Sequence, residues 1–169
     1  MTNSTTGVRA AVAGSVLIDT NVLVYETGVD GDTKARRADA VLRHLDAHRL
    51  ASLSTQVLCE YASTLLRRLP DGSGPTVGAR VADLCEVWPV VAVTGETVIE
   101  AVRGVMEHGM SYYDAQIWAT ARLGGFSVVL SEDFADGREI EGVRFVDPFC
   151  ESFAVAVLAS GPGGRTGPE

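Results

Sequence analysis

Four carboxylates, far apart in the chain, each stand at the edge of an apolar run. Asp19 closes VLI in VLIDTNVLVY, Glu60 lies within STQVLCEYAST, Asp114 opens SYYDAQIWATA, and Asp133 follows VVL in SVVLSEDF. An ionised carboxylate beside a buried element is costly unless its charge is offset. Four of them in 169 residues constrain the fold to one that gathers them, and a divalent cation is the natural counter-charge.

The runs around them read as alternating strands and helices. VLI (16–18) is a short buried strand, and residues 21–27 begin a helix that breaks in the turn cluster GVDGD. Ala35, Ala38, Val41, Leu42 and Leu45 recur at helical spacing. Residues 50–53 are a second strand. Ser54 caps a helix whose apolar face is Val57, Leu58, Tyr61, Leu65 and Leu66. PDGSGP (70–75) is a loop and 76–87 a further helix. A third strand at 90–93 is followed by helices at 96–108 and 112–123, each stopped by glycine. Strands at 127–130 and 143–146 complete an α/β order of about five short strands. Long crossovers favour a mainly parallel central sheet covered on both faces, a three-layer fold. Ligands of such sheets bind beyond the carboxyl ends of the strands, which is where Asp19 and Asp133 fall.

Taken singly, each acid has a structural reading. Asp19 suits a helix cap, with Asn21 beside it. Glu60 suits an exposed helical position. Ser111 and Asp114 have the spacing of a capping box. Asp133 sits in an acidic turn with Glu132 and Asp136. The strand before that turn favours Ser131 and Asp133 as the inward pair, with Glu132 pointing away and Asp136 as the competing ligand.

Composition bounds the rest. With 46% hydrophobic and 21% charged residues, the chain has the make-up of one globular domain. No apolar run approaches the ~20 residues that span a bilayer. The N-terminal residues lack the pattern of a secretory signal. Residues 1–15 read as a flexible leader and 150–169 as a C-terminal extension. In that extension 150–159 are apolar enough for a helix, and the last ten residues read as disordered. Cys59, Cys85 and Cys150 show no zinc spacing and read as small buried or partly buried residues, which fits the cytoplasm. His44 and His48, one turn apart, lack a third ligand nearby and read as surface residues. The net charge of −8 argues against broad nucleic-acid coating. It leaves room for local contacts, and Arg67, Arg68 and Arg122 are the candidates for phosphate.

At IDTNVLVY (18–25), STQVLCEY (54–61), SYYDAQIWATA (111–121) and LSEDFADG with GVRFVDPF (130–149), the chain resembles the PIN-domain ribonucleases, in particular the VapC-type toxins of bacterial toxin–antitoxin pairs. The resemblance covers 16–149. It implies a compact α/β nuclease domain and a Mg²⁺- or Mn²⁺-dependent endoribonuclease. It also implies a small VapB-like antitoxin as inhibitor, an RNA substrate and a homodimer. Carried over residue by residue, the acidic quartet is Asp19, Glu60, Asp114 and Asp133, with Asn21 and Ser131 in support. Asp19, Asp114 and Asp133 would hold metal, and Glu60 would orient a water or take its proton. Alternatives are an RNA-processing nuclease outside toxin–antitoxin pairs and a non-catalytic partner-binding module of the same fold. An aspartyl-nucleophile phosphatase wants Asp-x-Asp after the first strand, where this chain has Asp19-Thr20-Asn21.

Overall fold

A computed structural model describes residues 14–28 and 31–154. Residues 1–13 of the expected leader, and residues 155–169 of the C-terminal extension, lie outside the described residues. Within the described part, Ser15, directly before the first strand, is buried. Residues 150–154 form a turn and not the start of a helix, and Phe153 in that turn is buried.

The elements run β1 (Val16–Ile18), α1 (Thr20–Glu26), α2 (Asp32–Ala47), β2 (Ala51–Ser54), α3 (Thr55–Arg68), α4 (Gly74–Val87) and β3 (Val90–Val91). They continue through α5 (Gly95–His108), α6 (Tyr112–Gly124), β4 (Val128–Leu130), β5 (Glu139–Ile140) and β6 (Val143–Val146). The sheet has six strands in the order β3-β2-β1-β4-β6-β5. Five are parallel, and β5 pairs antiparallel with β6. β5 is the strand absent from the expected five. It is two residues long, reverses into β6 through Glu141 and Gly142 at positive φ, and has no hydrophobic alternation to reveal it.

The central strands are buried throughout, as VLI, ASLS and VVL must be when helices cover both faces. The right-handedness of such crossovers assigns α1–α4 to one face and α5–α6 to the other. Helix ends are set locally. Ser54 Oγ accepts from Val57 N at 3.2 Å. Thr94 and Thr97 form a reciprocal capping box, and Gly109 and Gly125 end α5 and α6 in the left-handed region. Trp118 is wholly buried between the two helices and donates to the Ile140 carbonyl at 3.2 Å.

The chain moves outward from β1 through β2 to β3, then returns to place β4 on the other side of β1. This reversal makes the β1–β4 boundary the switch point, where a crevice opens at the strands' carboxyl ends. Asp19 and Ser131 are the residues that follow those two strands.

Candidate active site

Asp19 ends β1 and caps α1. Its Oδ1 accepts from Thr20 N at 2.7 Å, and its Oδ2 accepts from Ser131 Oγ at 2.7 Å. Its own N–H donates to the Leu130 carbonyl at 2.9 Å, so the β1–β4 ladder holds the carboxylate at the crevice. The cap and the site are therefore one placement, not rival readings.

Ser131 is the hub of the β4 side. Its hydroxyl also accepts from Asp133 N at 3.1 Å and from Asn21 Nδ2 at 3.3 Å. Asn21 Nδ2 donates to Asp133 Oδ2 at 3.0 Å, so one amide links α1 to the loop after β4. Two neighbours fix that loop. Phe134 stacks on Phe145 of β6 with centroids 3.7 Å apart. Glu132 turns outward and accepts from Lys34 Nζ at 2.6 Å and from the Tyr25 hydroxyl. Asp136 accepts from Asp147 N at 3.0 Å in the turn at Gly137, so Asp133 and not Asp136 faces the crevice.

Glu60 comes from α3. Its Oε2 accepts from Thr20 Oγ1 at 3.3 Å and its Oε1 from Gln56 Nε2 at 2.9 Å. Gln56 Nε2 also donates to the Tyr113 carbonyl at 3.1 Å, which ties α3 to the N-terminus of α6 beside Asp114. Ser111 Oγ accepts from Asp114 N at 3.3 Å. The return bond of a capping box is not made, and among the described residues no donor reaches the Asp114 carboxylate. Its charge is steadied by the helix N-terminus and its oxygens remain available.

Burial dominates the electrostatics. Desolvation pushes the Asp19 carboxyl up to about 7, against the lowering effect of the Ser131 and Thr20 donors. Asp133 and Glu60 raise it further by repulsion. Among the described residues, no lysine, arginine or histidine is paired with any of the four acids. A buried carboxylate, two acidic neighbours and no protein cation form an all-oxygen set suited to a hard divalent ion. Asn21 Oδ1 and Gln56 Oε1 are buried acceptors without a partner, so the surrounding amides also have oxygen to spare.

A different acidic group lies elsewhere. Among the described residues, Glu107, His108 and Glu141 are the group whose ligand atoms all lie within 4.8 Å of one another, a spacing that no three of the four acids reach, but Arg103 bonds Glu107 at 2.6 Å and Glu141 at 2.8 Å. Arg122 adds bonds to Glu100 at 2.7 Å and Glu141 at 2.8 Å. That cluster is already neutralised by arginine, which removes the need for a cation. The same bonds tie Arg122 to Glu100 on α5 and to Glu141 in the turn after β5. Cys59 and Cys85 are exposed, against expectation, and only Cys150 is partly buried. Thr20 and Gln56 are site residues that the sequence reading passed over. Gln56 stands one helical turn before Glu60, a spacing that signals side-chain contact.

A family model for the PIN domain matches residues 16–135. The chain belongs to the PIN domain family. Solved structures share the PIN fold at low identity. VapC20 of Mycobacterium tuberculosis, described as a sarcin-ricin-loop-cleaving toxin, is 24% identical over 68% of this chain and 87% of its own, with a TM-score of 0.54. A toxin–antitoxin complex from Klebsiella pneumoniae is 20% identical over 80% and 98%, with a TM-score of 0.59. DNA-bound VapBC from Salmonella typhimurium is 17% identical over 79% and 98%, also with a TM-score of 0.59. Comparison with curated protein sequences returns no match. Among the described residues of this PIN domain, no helix is long and apolar enough to cross a membrane.

Proposed function

We propose that this PIN domain is a metal-dependent endoribonuclease, the toxin of a toxin–antitoxin pair. The observation that carries the nuclease reading is Asp19. It is buried at the β1–β4 switch point, bonded to Ser131 and flanked by Asp133 and Glu60, with no cation among the described residues paired to it. Asp19, Asp114 and Asp133 would hold Mg²⁺ or Mn²⁺. A divalent ion there supplies the positive charge that lets the acids ionise together and polarises a phosphodiester. Asn21 and Ser131 keep Asp19 and Asp133 in register. Glu60, held by Thr20 and Gln56, would orient the attacking water or accept its proton. The chain needs no serine, cysteine or histidine nucleophile for this chemistry.

The toxin role draws on the resemblance and on the solved toxin–antitoxin complexes of the same fold. A groove of about 340 Å³ between α1–α2 and α3–α4 suits the partner. Leu42, Tyr61, Leu84 and Trp88 line it, and Glu26, Asp39, Asp46 and Asp83 outnumber Arg43 and Arg80 there, with Arg43 paired to Asp39. An antitoxin segment with apolar anchors and basic residues would match that lining.

The test is cleavage of total RNA with Mg²⁺, Mn²⁺ or EDTA by the wild type and by Asp19→Asn and Asp114→Asn, with folding checked by circular dichroism. Cleavage is expected only with metal and only by the wild type. Wild-type rates from Asp19→Asn would end the nuclease reading. Growth arrest on induced expression, relieved by the neighbouring antitoxin gene, tests the toxin role separately.

A further inference from the structure

An open cleft of about 680 Å³ adjoins Glu60 between α3 and the start of α6. One wall is a polar stripe along α3: Gln56, Cys59, Glu60, Ser63, Thr64 and Arg67. These recur at the three- and four-residue spacing of one helix face, about 16 Å from end to end. Val93, Tyr113 and Gln116 form the opposite wall.

We infer that this cleft is a subsite for single-stranded RNA next to the scissile phosphate, with Tyr113 as a stacking platform for a base and Arg67 as the phosphate contact. This rests on the ribonuclease reading and names the path its substrate takes. Tyr113 is 64% exposed, an aromatic ring presented to solvent at the cleft wall. Its backbone is held by Gln56, which also holds Glu60, so the platform and the acid move as one body. Arg67 bonds the Ser63 carbonyl at 3.2 Å and Thr64 Oγ1 at 3.3 Å, both neutral groups, which leaves its charge for an anion. In a chain of net charge −8, a stacking surface with one well-placed arginine is the economical way to hold a strand.

Binding of a fluorescein-labelled, random-sequence, single-stranded RNA is measured by anisotropy in EDTA, where no cleavage is expected, over a salt series. Tyr113→Ala is expected to weaken binding about tenfold or more, and Tyr113→Phe to retain it. Arg67→Ala should lower the salt slope by about one. Cys59 and Cys85 supply a second readout, because both are exposed and only Cys59 lines the cleft. RNA should slow N-ethylmaleimide alkylation of Cys59 several-fold and leave Cys85 unchanged. Wild-type affinity in both Tyr113→Ala and Arg67→Ala, or equal alkylation of Cys59 with and without RNA, overturns the subsite. If Asp19→Asn still abolishes RNA cleavage in that case, the ribonuclease reading stands and only the cleft assignment falls. A wild type that neither binds nor cleaves RNA removes both.

Discussion

Ser131 Oγ lies 2.7 Å from Asp19 Oδ2 although 112 residues separate the two in sequence. The bond does more than hold one carboxylate. The same hydroxyl accepts from Asp133 N and from Asn21, so Ser131 sets the spacing between two acids that follow neighbouring strands. Ser131→Ala removes one methylene-sized polar group from a fully buried position and leaves Asp19 Oδ2 without its donor. Metal affinity, read by calorimetry with Mn²⁺, should fall roughly 10- to 100-fold, as when partners of metal ligands are lost. Ser131→Thr keeps the hydroxyl and should recover part of it.

Asp19 also makes stability depend on pH. Its carboxyl rises from 3.8 to about 7 on folding, so the folded state binds the proton more tightly. The contribution is fully present below pH 3.8 and is lost as pH rises through about 7. The full loss is on the order of 4 kcal/mol for metal-free protein. Asp19→Asn removes that titration. Urea unfolding in EDTA should therefore show the variant gaining on the wild type between pH 4 and pH 8. Mn²⁺ should restore the wild type at pH 8 and do little for the variant. A stability difference that is flat across this window would show that Asp19 ionises freely in the fold.

The elements that carry the site were legible because each has a local cause. Apolar runs ending in Asp19 and before Ser131 mark buried parallel strands, and Ser54, Ser111, Gly109 and Gly125 mark helix ends. What was not legible depends on contacts between distant segments. The two-residue β5 exists because Trp118 and β6 hold it, not through any pattern of its own. Arg122 follows Asp114 on α6, yet the helix carries it toward Glu100 and Glu141. That Glu132 turns away from Asp133 was legible from the strand before them, whereas its anchors, Lys34 and Tyr25, come from distant segments.

Gly104 is held to its size by Trp118. A Cβ at this position would lie 2.9 Å from Trp118 Cε3 and Cζ3 and 3.2 Å from Ala115 Cβ. In an open helix, alanine would gain up to about 1 kcal/mol over glycine. Here the ring cannot retreat, because it is wholly buried and bonded to the Ile140 carbonyl. Gly104→Ala should destabilise by about 1–3 kcal/mol, seen as a lower Tm. Gly78, on α4 with open space around its Cβ position, is the control, and Gly78→Ala should be neutral or stabilising.

Partner binding and catalysis should separate by mutation. Val87 lies in the groove between α1–α2 and α3–α4 and is 56% exposed, so its replacement leaves the core intact. Val87→Glu adds a fifth acid to a groove that holds four beside Arg43 and Arg80, and removes an apolar contact. Antitoxin affinity should fall about tenfold or more, while RNA cleavage stays at the wild-type rate. An equal loss of both would place the partner over the acids alone.

The outer face of α5 bears on assembly. Val98, Ile99, Val102, Val105 and Met106 are exposed and fall within one sector of the helix, with Ile99 and Met106 at 73% and 79%. The charged residues of α5 are drawn aside, since Arg103 gathers Glu100, Glu107 and Glu141. The result is a continuous apolar stripe, the kind of surface that marks a protein interface. For the homodimer that the resemblance implies, a self-complementary helix face is the simplest contact, since a two-fold axis sets the same stripe against itself. Ile99→Glu with Met106→Glu should convert the dimer to a monomer in light scattering without loss of helical content. If the wild type is already monomeric at high concentration, the stripe serves another partner, and the homodimer expectation fails.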